Sequence, residues 1–228
     1  MAKSMKLRGH PFKAMRFLVL SDVHGRVKVI RFANRLLREM SLDGAIVLGD
    51  ITHFGPPSWA SEFLSQLERP AYAIPGNCDP LGTLQEIERT STSLHRRKVK
   101  VDDWTLGGHG GSNPTIFNTP NEISEAEIEA GLRPVMEEGM TLVVHCPPMG
   151  ILDLTSVNRH AGSTAIAKLV KEFRPRVVLS GHIHEARGIV EREGTLFMNP
   201  GPAKDGYSAI IELGGTAKAT LLERAPEE

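Results

Sequence analysis

The chain has 228 residues, with 27 Lys and Arg against 27 Asp and Glu, so its formal net charge is zero. A protein that binds polyanions through its overall charge carries a basic excess, so general nucleic-acid binding is disfavoured. Hydrophobic residues make up 40% of the chain and charged residues 24%, which is typical of a globular protein and argues against disorder of the whole chain.

The first residues do not resemble a targeting signal. Residues 1–15 are predicted to form a flexible, basic extension, and residues 16–225 a single domain. The apolar run at 17–20 is too short for a signal-peptide core, and no stretch approaches the roughly 20 apolar residues of a membrane span. The only cysteines, Cys78 and Cys146, exclude a disulfide scaffold and indicate a reducing, cytoplasmic setting.

The first third of the chain alternates between strand and helix patterns. Short apolar runs predict strands at 16–21, 45–48 and 71–74. Apolar residues at helical spacing predict a helix after the first strand and another over 59–67. Such alternation is typical of an α/β domain whose first sheet is largely parallel.

The middle of the chain is less regular. One or two strands are predicted over 98–106, followed by a glycine-rich turn at 107–111. A helix is predicted over 122–138 with Ser124 as its N-cap, and then a strand over 141–144.

The last third changes character. A helix is predicted over 161–173 and a strand over 177–179. Four short strands are then predicted to form an antiparallel sheet, at 187–192, 195–198, 207–213 and 217–223. One domain containing two sheets accounts for the whole pattern.

Five segments place oxygen or imidazole donors directly after a predicted strand. They are Asp22-Val23-His24, Gly49-Asp50, Gly76-Asn77-Cys78-Asp79, His145 and Gly181-His182-Ile183-His184. Each segment alone is more simply explained as a turn, a helix cap or a structural histidine. Together they predict a two-metal site, because the carboxyl ends of parallel strands form the ligand-binding edge of such sheets. The donors suit Mn²⁺, Fe²⁺, Ni²⁺ or Zn²⁺ better than a thiolate site would.

This ordered set of motifs resembles the calcineurin-like metallophosphoesterase superfamily. The resemblance spans residues 22–184, and the Asn199-Pro200-Gly201 segment also fits. The stretches at 110–114, 160–163 and 181–185 are similar to a subgroup of small archaeal and bacterial phosphodiesterase-like members. The resemblance implies an α/β sandwich of two facing mixed β-sheets flanked by α-helices.

The resemblance also implies a ligand set for two divalent ions that share Asp50. One ion would be held by Asp22, His24, Asp50 and His184, and the other by Asp50, Asn77, His145 and His182. Mn²⁺ is the first expectation, with Ni²⁺, Fe²⁺, Co²⁺ and Zn²⁺ as alternatives. A shared carboxylate and a bridging hydroxide screen the repulsion between the ions, and the hydroxide attacks the phosphorus of a small phosphate ester.

Cys78 departs from the family pattern. Many members have Gly-Asn-His-Asp, in which the histidine helps to protonate the leaving group or to steady the phosphoryl oxygens, whereas this chain has Gly-Asn-Cys-Asp. A thiol is a weaker hydrogen-bond partner than an imidazolium, and a lost general acid costs on the order of 10²–10⁴ in rate. This favours phosphodiesters or activated esters over simple monoesters, unless Cys78 is only a packed small residue. The predicted catalytic residues are Asp50, Asn77, Cys78 and His145.

Further residues near the motifs are candidates for contacting the substrate or supporting a ligand. They are His53, Asp79, His109, His160 and Asn199. For each, surface exposure, capping or turn formation is the simpler alternative. The expected partner is a small phosphate ester, with nucleotides among the first guesses. The sequence leaves three other functions open, namely a protein-interaction module on the same fold, a phosphomonoesterase and a nuclease, and it leaves open whether the chain forms a homo-oligomer.

Overall fold

The computed structural model describes residues 14–223, which form twelve β-strands and five α-helices. The strands are β1 (Met15–Leu20), β2 (Gly44–Val47), β3 (Ala71–Ala73), β4 (Thr92–Ser93), β5 (Lys98–Val101), β6 (Trp104–His109), β7 (Thr141–Val144), β8 (Val177–Leu179), β9 (Gly188–Arg192), β10 (Thr195–Asn199), β11 (Ser208–Leu213) and β12 (Ala217–Leu222). The helices are α1 (Lys28–Glu39), α2 (Ser58–Ser65), α3 (Thr83–Thr90), α4 (Glu125–Leu132) and α5 (Thr164–Phe173). None of the described helices is long and apolar enough to cross a membrane.

Most predicted elements are confirmed, although their ends shift by a few residues. Helix α3 and the two-residue strand β4 were not predicted. Residues 1–13 of the predicted extension lie outside the described residues, and Met15 already belongs to β1. Residues 224–225 of the predicted domain also lie outside the described part of the chain.

The strands form two mixed sheets of six strands each. The first sheet has the order β12-β11-β1-β2-β3-β4, and the second has the order β5-β6-β7-β8-β10-β9. Strands β1 to β4 are mutually parallel, as are β6, β7, β8 and β10. The expected α/β sandwich of two mixed sheets flanked by helices is therefore confirmed.

Side-chain alternation along β1 shows how the layers pack. Phe17 and Val19 point into the cluster between the two sheets, whereas Leu18 and Leu20 point into the cluster beneath α1 and α2. Burying each such side chain contributes about 1.5–3 kcal/mol. Both faces of β1 are therefore covered, which explains why its sequence is continuously apolar rather than alternating.

The prediction of one antiparallel sheet from the last four strands was wrong. Strand β10 pairs in parallel with β8 in the second sheet, whereas β11 pairs with β1 and extends the first sheet. The reason lies in β11, where Ile210 packs under the helices and Ile211 packs between the sheets. Such a strand can bury both faces only inside the sandwich, next to β1.

The glycine-rich stretch at 107–111 is not simply a turn, because β6 continues through His109. A Cβ at Gly108 would lie 1.7 Å from the carbonyl oxygen of Val143 on β7. Glycine is needed there because the two backbones approach closely, so the composition indicated a turn where the fold requires space.

The predicted helix over 122–138 is shorter than expected. Helix α4 begins at Glu125, and Ser124 caps it with a capping box in which its hydroxyl accepts from the backbone N–H of Glu127. A short 3₁₀ turn over Arg133–Val135 follows α4. Glu122 therefore belongs to the loop before the helix, and its carboxylate accepts hydrogen bonds from residues of that loop.

Candidate metal centre

The seven side chains predicted to bind metal all follow strands at one edge of the sandwich. They are Asp22, His24, Asp50, Asn77, His145, His182 and His184, which come after β1, β2, β3, β7 and β8. Backbone contacts join these strand ends, with the Asp22 N–H donating to Gly49 (3.1 Å) and the Gly181 N–H to His145 (2.9 Å). The His182 N–H donates to Asp22 Oδ2 at 3.2 Å and links the two sheets.

One group of donors surrounds His24. His24 Nε2 lies 3.9 Å from Asp22 Oδ1 and 3.7 Å from Asp50 Oδ2, and His184 Nε2 lies 3.1 Å from Asp22 Oδ1. His24 Nε2 is buried and has no hydrogen-bond partner among the described residues. Buried polar atoms are rarely left unpaired, so an atom that faces two carboxylates across a short gap fits a cation.

The second group centres on His145, which is fully buried. Its Nδ1 lies 2.8 Å from the carbonyl oxygen of Leu48, which can only accept, so Nδ1 carries the proton. In the neutral ring, Nε2 is then a lone pair that faces Asn77 Oδ1 at 2.8 Å and Asp50 Oδ1 at 3.4 Å. Asn77 Oδ1 and His145 Nε2 thus face each other as two acceptors, with the Asp50 carboxylate beside them. The His182 ring lies 5.1 Å from the His145 ring. A cation satisfies all of these atoms.

Asp50 lies between the two groups. Its Oδ2 faces His24, whereas its Oδ1 faces His145 and accepts the Cys78 N–H at 2.8 Å. Ligand atoms of Asp22, Asp50 and His145 lie within 4.8 Å of one another. This position suits the shared ligand of two neighbouring ions.

The charge states of these side chains favour cation binding. Burial lowers the pKa of His24 to about 3, and burial together with neighbouring His145 lowers the pKa of His182 to about 3. Both rings are therefore neutral at pH 7 and keep a lone pair for a metal. Burial raises the pKa of Asp50, so a positive charge close to it is needed to hold the carboxylate ionised at low cost.

The local backbone is unusual at the same residues. Asp22, His24, Asp50 and His182 all have positive φ, between 47° and 67°. Non-glycine residues rarely adopt this conformation, and it concentrates at functional sites. Strain at four of the seven candidate ligands agrees with a site that the surrounding fold holds in place.

Cys78 lies inside this cluster and is 8% exposed. Its Sγ falls in one 4.8 Å group with donor atoms of His24 and Asp50. Burial and the Asp50 carboxylate raise the pKa of the Cys78 thiol, so it stays protonated at neutral pH. It is therefore a poor proton donor and a poor nucleophile in the protein without metal.

Asp79 and Asn199 support the site. Asp79 accepts N–H groups from Ile51 (3.2 Å), Thr52 (2.7 Å) and Gly76 (2.7 Å), and so joins the loops that follow β2 and β3. Asn199 donates to the carbonyl of Ile183 at 2.8 Å and accepts the Gly201 N–H at 2.9 Å, which holds the His182–His184 turn.

His53 lies at the rim of the cluster. Its Nδ1 is 3.3 Å from Nδ1 of His24, and its ring is tilted against that of Phe54 with centroids 4.6 Å apart. Both His53 and Phe54 are exposed.

The structure does not bring the other two predicted residues to the cluster. His109 is buried beneath α4, where Arg96 donates to its Nε2 at 3.0 Å and its Nδ1 meets the Gly110 carbonyl at 2.6 Å. The His160 ring is 56% exposed and bonds Asp153 at 2.7 Å. The hydrogen bonds of both rings go to loop residues that are not candidate metal ligands. A position near a motif in the sequence therefore does not decide where a ring points.

Sequence reasoning missed the contacts that the loop over 112–122 makes with Asn77. Asn77 donates its Nδ2 to the hydroxyl of Thr119 at 2.8 Å, and Asn121 donates its backbone N–H to the Asn77 carbonyl at 3.0 Å. Thr and Asn residues in a loop carry no pattern that distinguishes these contacts from solvated positions.

The fold and the donor cluster define a phosphoesterase of the α/β-sandwich type. Residues 15–186 match the calcineurin-like phosphoesterase family, so the chain belongs to that family. Members of the family depend on two metal ions, and the donor cluster described above lies within the matched residues. An uncharacterised protein of Methanocaldococcus jannaschii, MJ1162, is 34% identical over 199 residues, which cover 83% of this chain and 89% of that protein.

Solved structures share the fold at low identity. A novel archaeal phosphodiesterase is 18% identical with a TM-score of 0.53, and the match covers 91% of this chain and 100% of that one. A dimetal phosphatase from Danio rerio is 9% identical with a TM-score of 0.59, and that match covers 92% and 99% of the two chains. At these identities the likeness shows the fold alone.

Proposed function

We propose that this protein is a dinuclear metal-dependent phosphodiesterase that hydrolyses small phosphate diesters, with Mn²⁺ as the first metal to test. The observation that carries the proposal is the complete donor set around Asp50, in which the position after Asn77 is a buried thiol rather than an imidazole. The archaeal phosphodiesterase of the same fold supports the choice of reaction class.

The candidate ligands form two groups, one for each ion, and Asp50 belongs to both. Asp22, His24 and His184 would hold one ion, Asn77, His145 and His182 would hold the other, and Asp50 would be shared by both. Bound divalent ions act as Lewis acids on phosphoryl oxygens and lower the pKa of bound water. The Leu48 carbonyl accepts the Nδ1 proton of His145, so Nε2 is the ring nitrogen that would bind the ion.

The preference for diesters follows from Cys78. An alkoxide leaves a phosphate ester poorly unless an acid donates a proton to it. The Cys78 thiol is a weaker donor than an imidazolium and is buried next to Asp50, so it is a poor substitute in this role. Esters with good leaving groups depend less on such a donor, and a diester, which carries one negative charge fewer than a monoester dianion, depends less on a cationic group beside the phosphoryl oxygens.

The test combines metal binding with turnover. The protein is stripped with a chelator and titrated with Mn²⁺, Ni²⁺, Zn²⁺ and Mg²⁺ against bis-p-nitrophenyl phosphate and p-nitrophenyl phosphate. We expect about two ions per chain and faster turnover of the diester than of the monoester. Asp50→Asn should abolish both activities, whereas Asp103→Asn, which changes an exposed turn, should change neither.

Two outcomes would contradict the proposal. Two bound ions without turnover of either ester would favour the alternative of a binding module on the same fold. Failure to bind any metal would show that the ligand assignment is wrong.

A further inference from the structure

The loop over 112–122 is organised around one carboxylate. Glu122 Oε1 accepts the Thr119 N–H at 2.9 Å and the Thr119 hydroxyl at 2.7 Å. The same carboxylate accepts the Thr115 N–H at 2.9 Å and the Thr115 hydroxyl at 2.5 Å. Burial would raise the pKa of Glu122, but these hydrogen bonds lower it to about 2, so the carboxylate is ionised at neutral pH.

The ionised carboxylate sets the direction of a hydrogen-bond chain. An ionised carboxylate can only accept, so the Thr119 hydroxyl must give its proton to Glu122. The Thr119 oxygen can then only accept from the Asn77 side chain, which therefore presents Nδ2 to it at 2.8 Å. An amide that presents its nitrogen on one side must present its oxygen on the other.

That oxygen is the atom that enters the candidate metal centre. Asn77 Oδ1 lies 2.8 Å from His145 Nε2, and Asn77 is only 4% exposed, so water does not hold its orientation. The loop also forms hydrogen bonds with the backbone carbonyl groups of Gly76 and Asn77. Asn121 donates its Nδ2 to the Gly76 carbonyl at 2.9 Å and its N–H to the Asn77 carbonyl at 3.0 Å.

We infer that Glu122 and Thr119 are positioning residues that orient the Asn77 amide so that Oδ1, and not Nδ2, faces the metal on the His145 side. The inference rests on the proposed function, because it assigns Asn77 to that ion. Without the Thr119 oxygen, Asn77 Nδ2 keeps only a long contact with Cys78 Sγ at 3.7 Å. The amide can then turn over and place its N–H donors where a cation would bind.

The test measures metal binding without turnover. Mn²⁺ is titrated by calorimetry into the stripped wild-type protein and into the Thr119→Val and Thr119→Ser variants. Supporting residues of this kind typically change metal affinity by about 10–100-fold. Thr119→Val should weaken one of the two sites by that factor and leave the other within about 3-fold, whereas Thr119→Ser, which keeps the hydroxyl, should retain both. A matched control is Thr90→Val, which removes a hydroxyl that bonds the Glu86 carbonyl within α3.

A second variant tests the direction of the chain. In Glu122→Gln the amide can donate as well as accept, so the Thr119 proton is no longer forced away from Asn77, and the same site should weaken. Wild-type affinity at both sites in Thr119→Val would overturn the inference. Equal weakening of both sites together with a lower unfolding temperature of the stripped protein would also overturn it, because that pattern indicates general damage. Absence of any metal binding by the wild type would overturn the proposed function itself.

Discussion

Cys78 follows Asn77 in the candidate metal centre, at the position where the resemblance of the motifs predicts a histidine. It is buried next to Asp50, donates its backbone N–H to that carboxylate at 2.8 Å, and is too hidden to act as a surface thiol. The backbone of Cys78 therefore helps to hold the Asp50 carboxylate in place. Its side chain is the part that can affect the reaction.

We expect Cys78→His to raise the rate with p-nitrophenyl phosphate relative to bis-p-nitrophenyl phosphate by about 10-fold or more. The reason is that both esters expel the same p-nitrophenolate, but the monoester dianion carries one more negative charge, which an imidazolium beside Asn77 can stabilise and the neutral thiol cannot. The measurement is kcat/KM for both esters. Cys78→Ala separates loss of the thiol from gain of the imidazole, and Cys146→Ala, a buried cysteine that contacts Asn113 and Pro147, controls for cysteine removal. An unchanged ratio in Cys78→His would remove the argument for a diester preference.

At the scale of secondary-structure elements, the strand ends that carry the donor residues lie very close together. The turns after β2 and β3 pack so tightly that a Cβ at Gly76 would lie 2.1 Å from Asp50 Oδ1 and 2.2 Å from its backbone nitrogen. The turn after β8 approaches β1 in the same way, because a Cβ at Gly181 would lie 1.8 Å from Ser21 Oγ. The glycines in the motifs are therefore required by close approach of the strand ends.

We expect Gly76→Ala to lower the free energy of unfolding by about 2–4 kcal/mol, because the added methyl must displace the backbone of Asp50. The displaced carboxylate should also reduce metal binding to below two ions per chain. Urea unfolding and metal analysis measure the two effects. Gly215→Ala is the matched control, since a Cβ there meets nothing within 4 Å. Similar behaviour of the two variants would show that the turns are not tightly packed.

At the scale of the whole molecule, the buried Asp50 carboxylate costs stability when no metal is bound. Asp22, Asp50 and Asp79 are each at most 2% exposed, and they lie in one connected cluster. Burial raises the pKa of Asp50, and the negative charges of Asp22 and Asp79 raise it further against the opposing effect of His145. The folded protein thus binds a proton at Asp50 more readily than the unfolded chain does.

The sign of the pH dependence follows from this difference. A group whose pKa is raised on folding contributes stability below its unfolded pKa and loses it as the pH rises through its folded pKa. We therefore expect metal-free Asp50→Asn to be more stable than the wild type by about 1–3 kcal/mol at pH 8, with a smaller difference at pH 5. Added Mn²⁺ should stabilise the wild type and not the variant.

Urea unfolding in chelator at both pH values measures this difference, with Asp103→Asn as the exposed-carboxylate control. A metal-free Asp50→Asn protein that is less stable than the wild type at pH 8 would contradict the prediction. Such a result would mean that the hydrogen bond from Cys78 outweighs the charge repulsion.

Much of the architecture follows from local pattern. The apolar runs identified β1, β2, β3, β7 and β8, because strands buried on both faces are continuously apolar. The donors after them were predicted to meet, and they do, since parallel strands bring their carboxyl ends to one edge of a sheet. Ser124 was recognised as a cap because capping is decided within a few residues of the chain.

Only the tertiary structure decided the features that depend on contacts between distant segments. Strands β9 to β12 divide between two sheets because β11 finds two-sided burial next to β1, a partner far away in sequence. The stretch at 107–111 continues a strand because Val143 lies against Gly108, and His109 lies under α4 rather than in the donor cluster. The environment of Cys78 and the link from Glu122 through Thr119 to Asn77 likewise exist only in the folded chain. The sequence thus determined which donors stand at which strand ends, whereas the fold determined how each donor is oriented, because orientation depends on neighbours that local pattern does not specify.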